Sequence, residues 1–457
     1  MLAATITQPL LFEDDAVGPL EWRFDQPHAS SDGGAILLRR VDRRLRLIDR
    51  LAAVLRDPRE PMRVQHTMRD LLAQRIVGIA CGHIDANDGD ALAHDPVHKT
   101  LVGRDPITGD RLASQPTLSR FEQVPSPPVL YAMGDVLAEV VIASLRRRFR
   151  DTKVITLDLD ATADPTHGAQ QLSIFNGFYD TWCYLPLVAT LAFEGAPRQY
   201  LVAALLRPGN AGGATGVRGL LRRLIPKLWR AFPRARVRVR LDSGFASPAI
   251  FAELEHAGVD YVVGMAGNAV LDRLAAPHLA ALRAQVAITG ETATSYHEAK
   301  YQAGTWPHAR RVIIKAEVVA HPGRDPRDNP RFVITNVRHC PATVYADLYC
   351  ARGDSENRIK ELHDALGFGR TSCTRFWANQ LRILLSAAAY ALLQHLQIYA
   401  DQTTLRGAQV PRLRQALLTI GVWIVRQGRR LIWHAPRGHP EQRAWAQMAR
   451  ALGATAR

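Results

Sequence analysis

The stretch KVITLDLDATADPTHG, Lys153 to Gly168, decides the fold that we predict for this chain. Its apolar, β-branched residues have the length of a buried strand, and the run ends at a turn that contains proline. Because side chains alternate along a strand, Asp158 and Asp160 point to the same face, at the carboxyl end. Two carboxylates in a partly dry place repel each other unless a cation or a proton neutralises them. The stretch therefore suggests a metal site; the alternative is that one aspartate caps the turn and the other is solvated.

A second acid follows a second predicted strand. In RVRVRLDSGF, residues 236–245, apolar and basic residues alternate, so Asp242 shares a face with the arginines. The other elements predicted around these two strands are Cys183–Phe193, Tyr200–Leu206 and Tyr261–Gly264 as strands and Gly216–Phe232 and Pro248–His256 as helices. The resulting order β, β, β, α, β, α, β, with an acid ending the first and fourth strands, matches a ribonuclease-H-like α/β core.

A third acid lies on a predicted helix. The sequence LYCARGDSENRIKELHDALGF, residues 348–368, has an apolar stripe at helical spacing. At 100° per residue, one adjacent face carries Tyr349, Arg352, Glu356, Lys360 and His363. The alternative is an ordinary amphipathic helix in which charged residues four positions apart, such as Glu356 and Lys360, form pairs.

A ribonuclease-H-like fold would gather these acids, Asp158 or Asp160 with Asp242 and Glu356, at one edge of its sheet. Two divalent cations held by such carboxylates can activate an attacking oxygen and stabilise a leaving oxygen at phosphorus. Magnesium fits because it prefers oxygen ligands and needs few protein carboxylates beside substrate phosphates. The sequence has no GxxxxGK[ST] loop and no Cys/His zinc pattern, so we expect no nucleotide cofactor and no structural zinc.

The charge of the chain favours a polyanionic partner. Its 58 basic and 43 acidic residues give a net charge of +15, within an otherwise globular composition of 47% hydrophobic residues. Such a balance is typical of proteins that bind nucleic acid. The alternative is a general compositional preference for arginine, because only six of the 58 basic residues are lysine.

The pattern of elements changes along the chain and predicts a division into five segments. We expect residues 1–150 to be a mainly helical, DNA-binding region and residues 401–457 to form a hairpin and a helix. Between them we expect a first part of the core at 151–267, a β-rich insertion at 268–340, and completion of the core with the glutamate helix at 341–400. Within ASQPTLSRFEQ, residues 113–123, a short helix would present Thr117 and Arg120 to a DNA groove, with ordinary helix surface as the alternative.

Targeting and redox signals indicate a cytoplasmic protein. The N-terminal sequence MLAATITQPLLFEDD has no basic region before its apolar residues, so we predict no signal peptide. The most apolar long run, Leu381–Leu396, is interrupted by Arg382, Gln394 and His395, so we expect a core helix and no membrane span. The five cysteines are odd in number and form no CxxC pair, as in a reduced cytosol.

Three strings together resemble a known family. They are LDLDATADPTHGAQQLSIFNGFYDTWCYLPL at 157–187, RLDSGFA at 240–246, and the tyrosine, arginine and glutamate of YCARGDSENRIKE at 349–361. They are similar to the DDE transposases of bacterial insertion sequences, in particular the insertion-sequence thirteen-eighty branch, which belongs to a wider set with a β insertion before the glutamate. The resemblance runs from SSDGGAILLRRVDRRL, residues 30–45, to near the C-terminus, and its HG...FNG...YLPL string is highly specific.

The resemblance implies a metal-binding triad of Asp160, Asp242 and Glu356, holding two Mg²⁺ ions, with Mn²⁺ as an expected substitute. Asp160 is preferred to Asp158 because the DAT triplet matches the first acid of the family; Asp158 would then support it. The resemblance also implies that Tyr349 and Arg352 contact DNA phosphates.

Three further DNA contacts remain open. Relatives outside this branch carry a lysine seven positions after the glutamate; here that position is His363, and Lys360 lies a turn earlier. Either side chain is a candidate for the DNA backbone. Trp306, in the predicted β insertion, is a candidate for stacking on an unpaired or flipped base, and a buried structural tryptophan is the alternative.

The implied function is a transposase that binds terminal inverted repeats, cleaves DNA, and joins the released 3′ hydroxyl to target DNA. Its partners would be double-stranded DNA and a second copy in a synaptic homodimer, and it would lie on the nucleoid when bound. Two alternatives stay open. A nuclease would hydrolyse DNA without joining strands, and a transposase-derived regulator would bind DNA without cutting it.

Overall fold

The computed structural model describes residues 9–13 and 18–455. The N-terminal sequence that carries the signal-peptide prediction therefore lies mostly outside the described residues. Within the described ranges the protein combines helices with a mixed β-sheet, so the predicted α/β class is confirmed at that level.

The first third of the described chain is mainly helical. Two short helices of this part meet at Arg46, whose φ of 55° lies in the left-handed region and turns the chain between them. The elements of this part are β1 Leu10–Phe12, β2 Leu20–Trp22, β3 Ala29–Ser30, α1 Ile36–Leu45, α2 Leu47–Ala52, α3 Met68–Cys81, α4 Asp88–Ala91, α5 Pro96–Val102, α6 Gln115–Glu122 and α7 Pro127–Arg148.

The middle of the chain contains the predicted strands and helices in order, and two further short strands, Asp164–Pro165 and Ile174–Asn176, that were not predicted. One predicted strand, Cys183–Phe193, is two strands in different sheets, separated at Leu185 and Pro186. The elements are β4 Val154–Ala161, β5 Asp164–Pro165, β6 Ile174–Asn176, β7 Thr181–Tyr184, β8 Leu187–Phe193, β9 Gln199–Leu205, α8 Val217–Ala231, β10 Arg236–Leu241, α9 Pro248–His256 and β11 Asp260–Met265.

These strands build the centre of a large sheet in the order β9-β8-β4-β10-β11. Strand β10 runs parallel to both β4 and β11, whereas β8 runs antiparallel to β4 and β9. Because β4 and β10 run in the same direction, the residues at their carboxyl ends lie at the same edge of the sheet. Helices α7 and α12 (Phe376–Ala400) pack on β9, α8 packs on β10, and α11 (Gly353–Leu366) packs on β4 and β9.

The segment 268–340 differs from the prediction of a mainly β insertion. It opens with a 21-residue helix, α10 Ala269–Thr289, which is capped by the Asn268 side chain. Its strands extend the central sheet, because β15 pairs with β11 and β13 pairs with β15. The strands are β12 Ala293–Tyr301, β13 Arg310–His321, β14 Arg324–Asp328 and β15 Arg331–Thr335.

The predicted glutamate helix is only partly α-helical. Residues Thr343–Tyr349 form π-helical turns and Cys350–Arg352 a 3₁₀ turn before α11 begins. Gly353 is therefore the first residue of an α-helix, where its low helix propensity costs less than in a helix interior. Wide turns of this kind are frequent at functional sites, since they change which side chains share a face.

The C-terminal part contains a long central helix and the predicted hairpin. By length and apolar composition, α7 and α12 are the two described helices that could cross a membrane, but 89% of the most apolar window of α12 is buried within the protein. That burial confirms α12 as a core helix. The remaining elements are α13 Val410–Leu413, β16 Val422–Gln427, β17 Arg430–His434 and α14 Gln442–Ala451, and β16 also pairs with β3.

Candidate active site

The structure brings two of the predicted acids to one edge of the central sheet. Leu159 of β4 pairs with Leu241 of β10, so Asp160 and Asp242 are the next residues on adjacent parallel strands. The backbones of such strands lie about 4.8 Å apart. Asp160 is buried, and Asp242 is half-buried in the turn that follows β10.

Arg352 joins the third acid to the first. Its guanidinium donates from Nη1 to Asp160 Oδ2 and from Nη2 to Glu356 Oε1, both at 2.9 Å. Ser355 Oγ also donates to Asp160 Oδ2, at 3.3 Å. Glu356 itself is largely exposed. The glutamate of α11 is thus held beside the sheet edge by an arginine one turn earlier on the chain.

The site has an excess of negative charge at Asp160. Burial raises the pKa of Asp160 to about 6, Arg352 opposes this rise, and the nearby Asp242 and Glu356 carboxylates add to it. A group with this combination of desolvation and like charges binds a cation more favourably than an isolated surface carboxylate. The electrostatics at Asp160 therefore favour a cation beyond the single positive charge of Arg352.

The free oxygens fit a magnesium site. Across residues 18–455, one oxygen of each acid, Asp160 Oδ1, Asp242 Oδ2 and Glu356 Oε2, has no hydrogen-bond partner in the protein. A set of carboxylate oxygens with room for water and substrate phosphate is the donor set that Mg²⁺ prefers.

Asp158 has a different environment from Asp160. It is 1% exposed, and Arg240 binds both of its oxygens, with Nε to Oδ1 at 2.5 Å and Nη2 to Oδ2 at 2.7 Å. Gln199 Nε2 donates to Oδ2 as well. Burial raises the pKa of Asp158, and the Arg240 hydrogen bonds oppose that rise. Arg240 also donates to the Leu348 carbonyl, so the pair links β4 and β10 to the segment that leads into α11.

Tyr349 lies against the turn that carries Asp242. It is half-buried, packs on Tyr345 with ring centroids 5.6 Å apart, and burial raises its pKa. A Cβ atom on Gly264 of β11 would lie 2.4 Å from the Tyr349 hydroxyl and 2.8 Å from the Ser243 backbone nitrogen. Glycine at 264 is therefore required for this close approach.

We expect Gly264→Ala to lower the DNA-cleaving activity that the resemblance implies at least tenfold while the protein stays folded. The added methyl group must push away the Tyr349 hydroxyl or the turn beside Asp242, and overpacking of this kind costs about 1–3 kcal/mol. Urea unfolding and cleavage assays measure the two effects. Gly219→Ala on α8 is the matched control, because nothing lies within 4 Å of its added Cβ. Equal activity of the two variants would contradict the proposed constraint.

Lys360 and His363 point into different surroundings. Lys360 is exposed on α11. His363 is partly buried, with Nε2 3.2 Å from Thr162 Oγ1 and its ring against Phe368, and burial lowers its pKa. Lys360 is thus the better placed of the two for a solvent-accessible phosphate.

Trp306 is not available for base stacking, and this corrects the prediction. It is 6% exposed and packs edge-on against Phe251 and Tyr301, with ring centroids 5.1 and 5.3 Å away. The Arg310 guanidinium lies 4.8 Å from its ring centroid. Tyr301 and Arg310 are near Trp306 in sequence, whereas Phe251 of α9 is distant, so its burial depends on the packing of α9 against β12 and β13.

Thr117 and Arg120 lie on the predicted short helix, α6, away from the strands that carry the acids. The helix packs on α3, α4 and α12. Arg120 is exposed, whereas Thr117 is half-buried, with its hydroxyl 3.4 Å from that of Ser114. Arg120 can therefore reach a ligand in solvent, and Thr117 is less accessible.

Several side chains near the acids were not predicted. Besides Ser355 they include Arg207, which is buried and donates from Nε to the Leu185 carbonyl, and Tyr179, which lies in the electrostatic range of Asp160 and Asp242. Burial lowers the pKa of Arg207 to about 10, and Tyr179 and Asp242 oppose this. The FNGFYD string is part of the resemblance to the DDE transposases, and its aromatic residues alone are a sequence signal for a contact surface.

A further buried acid, Asp164, lies just beyond β4. It is 1% exposed, Thr371 Oγ1 donates to its Oδ2 at 2.6 Å, and its Oδ1 has no partner among the described residues. Burial raises the pKa of Asp164 to about 7, and the Thr371 hydrogen bond opposes the rise. The group is therefore destabilising when it is ionised.

We expect the free energy of unfolding of Asp164→Asn, relative to that of the wild type, to be higher at pH 8 than at pH 5. The pKa of Asp164 is higher in the folded than in the unfolded protein, so its protonated form favours the folded state. This stabilisation is complete below about pH 4 and is lost as the pH rises through about 7. The difference between the two pH values amounts to about 3 kcal/mol, and asparagine abolishes it. Urea unfolding at both pH values measures it, with Asp151→Asn at an exposed ion pair as control. A variant whose stability parallels the wild type at both pH values would contradict this.

One histidine–carboxylate cluster lies in the N-terminal helices. Asp32 precedes the first helical turn, but its side chain makes no cap hydrogen bond; its Oδ2 lies 2.8 Å from Nε2 of both His83 and His98. The three ligand atoms lie within 4.8 Å of one another, as a metal ion would require. Burial alone would raise the pKa of Asp32, but the two hydrogen bonds outweigh it and lower that pKa. The short hydrogen bonds already tie the segment before α1 to the turn after α3 and to α5 without a metal.

Comparisons with known proteins agree with this architecture. A family model described as Transposase DDE domain group 1 matches residues 14–456, nearly the whole chain. A search of the curated proteins found no match. Since the family match covers both acid-bearing strands, α11 and the flanking helices, the chain belongs to the DDE transposases, a family of enzymes that act on DNA.

Proposed function

We propose that the protein is the transposase of a bacterial insertion sequence of the thirteen-eighty branch, and that Asp160, Asp242 and Glu356 are its catalytic acids. The observation that carries the proposal is the arrangement of these acids. Asp160 and Asp242 each follow one residue of a pair that faces across adjacent parallel strands. Arg352 bridges Asp160 and Glu356. Each acid retains one carboxylate oxygen without a protein partner across residues 18–455.

The sheet order supports a ribonuclease-H-like core. Only the strands of the large sheet from β4 to β11 are counted here. In the sheet order β9-β8-β4-β10-β11, they are the third, second, first, fourth and fifth of these strands along the chain. The first and fourth strands are the parallel neighbours that end in Asp160 and Asp242. This is the order of elements in which an acid on the first strand and an acid after the fourth meet.

The three acids would hold two Mg²⁺ ions, or Mn²⁺ in their place. When bound there, these cations would assist attack at phosphorus and stabilise the negative charge that develops on the departing oxygen. Arg352 now neutralises Asp160 and Glu356, and its guanidinium can bind two phosphate oxygens when a cation takes over that role. Tyr349 keeps the turn of Asp242 in place, Lys360 offers a charge to the DNA backbone, and Asp158 fixes the segment before α11 through Arg240.

The partners follow from this chemistry and from the charge of the chain. A net charge of +15 favours double-stranded DNA, and Arg120 of α6 is one exposed arginine outside the site. We propose that the protein binds the terminal inverted repeats of its element, cleaves the strands, and transfers the 3′ hydroxyl ends into target DNA. Two ends held together imply a homodimer in the active complex, which would act on the nucleoid in the cytoplasm.

The test is a reaction of purified protein with Mg²⁺ and a plasmid that carries the DNA flanking this gene on both sides. We expect cleavage at the element ends and covalently joined products, and we expect Glu356→Gln to yield neither. Cleavage without joined strands would favour the nuclease alternative. Binding of the ends without any cleavage by the wild type would favour a DNA-binding regulator.

A further inference from the structure

An exposed aromatic hairpin stands beside the candidate active site. It consists of β6 and β7 with the turn between them, residues 174–184, and we call it the aromatic hairpin. Phe178 at its tip is 87% exposed and Trp182 is 59% exposed, while Phe175 and Tyr179 are also exposed. Phe175 packs edge-on against Trp182, and Phe178 packs edge-on against Tyr179, with centroids 6.3 and 4.9 Å apart. Contiguous exposed aromatic side chains of this kind mark interaction surfaces.

The hairpin is held rigidly although its tip is exposed. Asn176 Oδ1 accepts from the backbone nitrogens of Phe178 and Tyr179, and its Nδ2 donates to the Gly209 carbonyl at 2.7 Å. A Cβ atom on Gly209 would lie 2.2 Å from the Ile174 carbonyl oxygen and 2.3 Å from that of Cys183. Close backbone packing at the base therefore fixes where the aromatic side chains stand, so little ordering is needed when they bind a ligand.

The base of the hairpin is connected to the first acid. The Thr162 backbone nitrogen, two residues beyond Asp160, donates to the Pro186 carbonyl, two residues beyond β7. Asp164 and Pro165, just beyond β4, pair with Tyr184 and Cys183 of β7. Tyr179 lies within electrostatic range of the Asp160 and Asp242 carboxylates, which act together with burial to raise its pKa. The aromatic side chains thus extend outward from the place where the scissile phosphate would lie.

The chemistry of this surface suits unpaired nucleobases. Every base has a π-face that stacks on aromatic side chains, and the Arg352 guanidinium at the acids complements the phosphates that connect the bases. Trp306, which was the sequence-based candidate for such stacking, is buried. The aromatic hairpin offers what Trp306 does not, an exposed ring next to the acids.

We propose that the aromatic hairpin binds unpaired bases of the DNA next to the cleaved bond, with Phe178 and Trp182 as the stacking side chains. This inference rests on the proposed function, since it assumes that the scissile phosphate lies at Asp160 and Asp242. The hairpin then holds the strand open at the cut and keeps the phosphodiester in place between the acids.

The experiment compares two DNA probes in the absence of divalent metal, where no cleavage occurs. One is a duplex with three mismatched base pairs at its centre and 2-aminopurine within the mismatch; the other has the same sequence fully paired. The wild type should bind the mismatched probe more tightly and quench 2-aminopurine fluorescence. Phe178→Ala should weaken binding to the mismatched probe by about tenfold, because stacking of one base is lost. Binding to the paired probe should change less than about twofold.

Three controls make the result specific. Phe178→Tyr retains an aromatic ring and should restore binding, whereas Phe178→Leu should not. Trp229→Ala removes an exposed tryptophan from the end of α8 nearest the start of β10, at the other edge of the sheet, and should bind as the wild type does. Unchanged thermal unfolding of Phe178→Ala, expected for so exposed a side chain, excludes misfolding.

Three outcomes would overturn the inference. Equal loss of affinity for both probes, or no loss, would show that Phe178 does not recognise unpaired bases. Loss of self-association in sedimentation, with DNA binding intact, would assign the hairpin to contact with a second copy of the chain. Since no cleavage is measured, these outcomes are independent of whether Asp160, Asp242 and Glu356 prove to be catalytic.

Discussion

Asp160→Asn is expected to lower magnesium-dependent DNA cleavage by about a thousandfold or more, with little loss of stability. Asparagine keeps the shape of the side chain and can still accept from Arg352 and Ser355, so the hydrogen bonds that position α11 are retained. The substitution removes the negative charge of Asp160. Burial and the carboxylates of Asp242 and Glu356 raise the pKa of this group, so a bound cation stabilises its charged form. The loss should therefore appear in the chemical step and not in folding.

The measurement is a single-turnover cleavage assay at pH 8, where a carboxyl group with a pKa of about 6 is ionised. Asp354→Asn is the matched control, because it removes an exposed carboxylate from the first turn of the same helix α11. This control should retain activity within about threefold, as surface charge changes usually have small effects. Calorimetric titration with Mg²⁺ should show weaker binding for Asp160→Asn only. An Asp160→Asn protein that cleaves at the wild-type rate would remove Asp160 from the proposed triad.

The central strands could be predicted from sequence because their signals are local. In β4, apolar β-branched residues define a strand, and the turn after Asp160 ends it. The helix α10 was missed although its start signal was present: Asn268 Oδ1 accepts from the nitrogens of Val270 and Leu271. Pro277 suggests a break, yet the helix continues through it. Tertiary packing of α10 on β12 and β13 overrides the local cost of that proline.

The extension of the sheet and the surroundings of the site depend on contacts that are distant in sequence. The pairing of β15 with β11 joins Phe332 to Met265, and no residue pattern in either strand specifies that partner. In the same way, the sequence predicted that Arg352 shares a helix face with Glu356, but not that its guanidinium bridges Glu356 and Asp160. A side chain can be assigned to a face from its spacing, whereas its partner on another element requires the folded structure.

Asp158→Asn is expected to destabilise the protein by about 3–5 kcal/mol, because it leaves the Arg240 charge buried without a counter-ion. Arg240 is 4% exposed, and both of its bonds to Asp158 cross from β10 to β4. Its remaining hydrogen bond, from Nη1 to the Leu348 carbonyl, positions the turns that precede Arg352 and Glu356. Urea unfolding measures the loss of stability, and a parallel cleavage assay at low temperature shows whether the folded fraction is still active.

The double variant Asp158→Asn with Arg240→Gln distinguishes a structural role for Asp158, in which it neutralises Arg240, from a role as a metal ligand. If Asp158 acts by neutralising Arg240, the double variant loses less stability than the sum of the losses in the two single variants. We expect this coupling to be about 1–3 kcal/mol. The double variant should also regain cleavage activity in proportion to its folded fraction, since Asp160 is intact. A singly changed Asp158→Asn protein that is as stable as the wild type but inactive would instead make Asp158 the first ligand. The two aspartates of β4 differ by one strand repeat and share a face, so only their separate effects on stability and on cleavage can assign their roles.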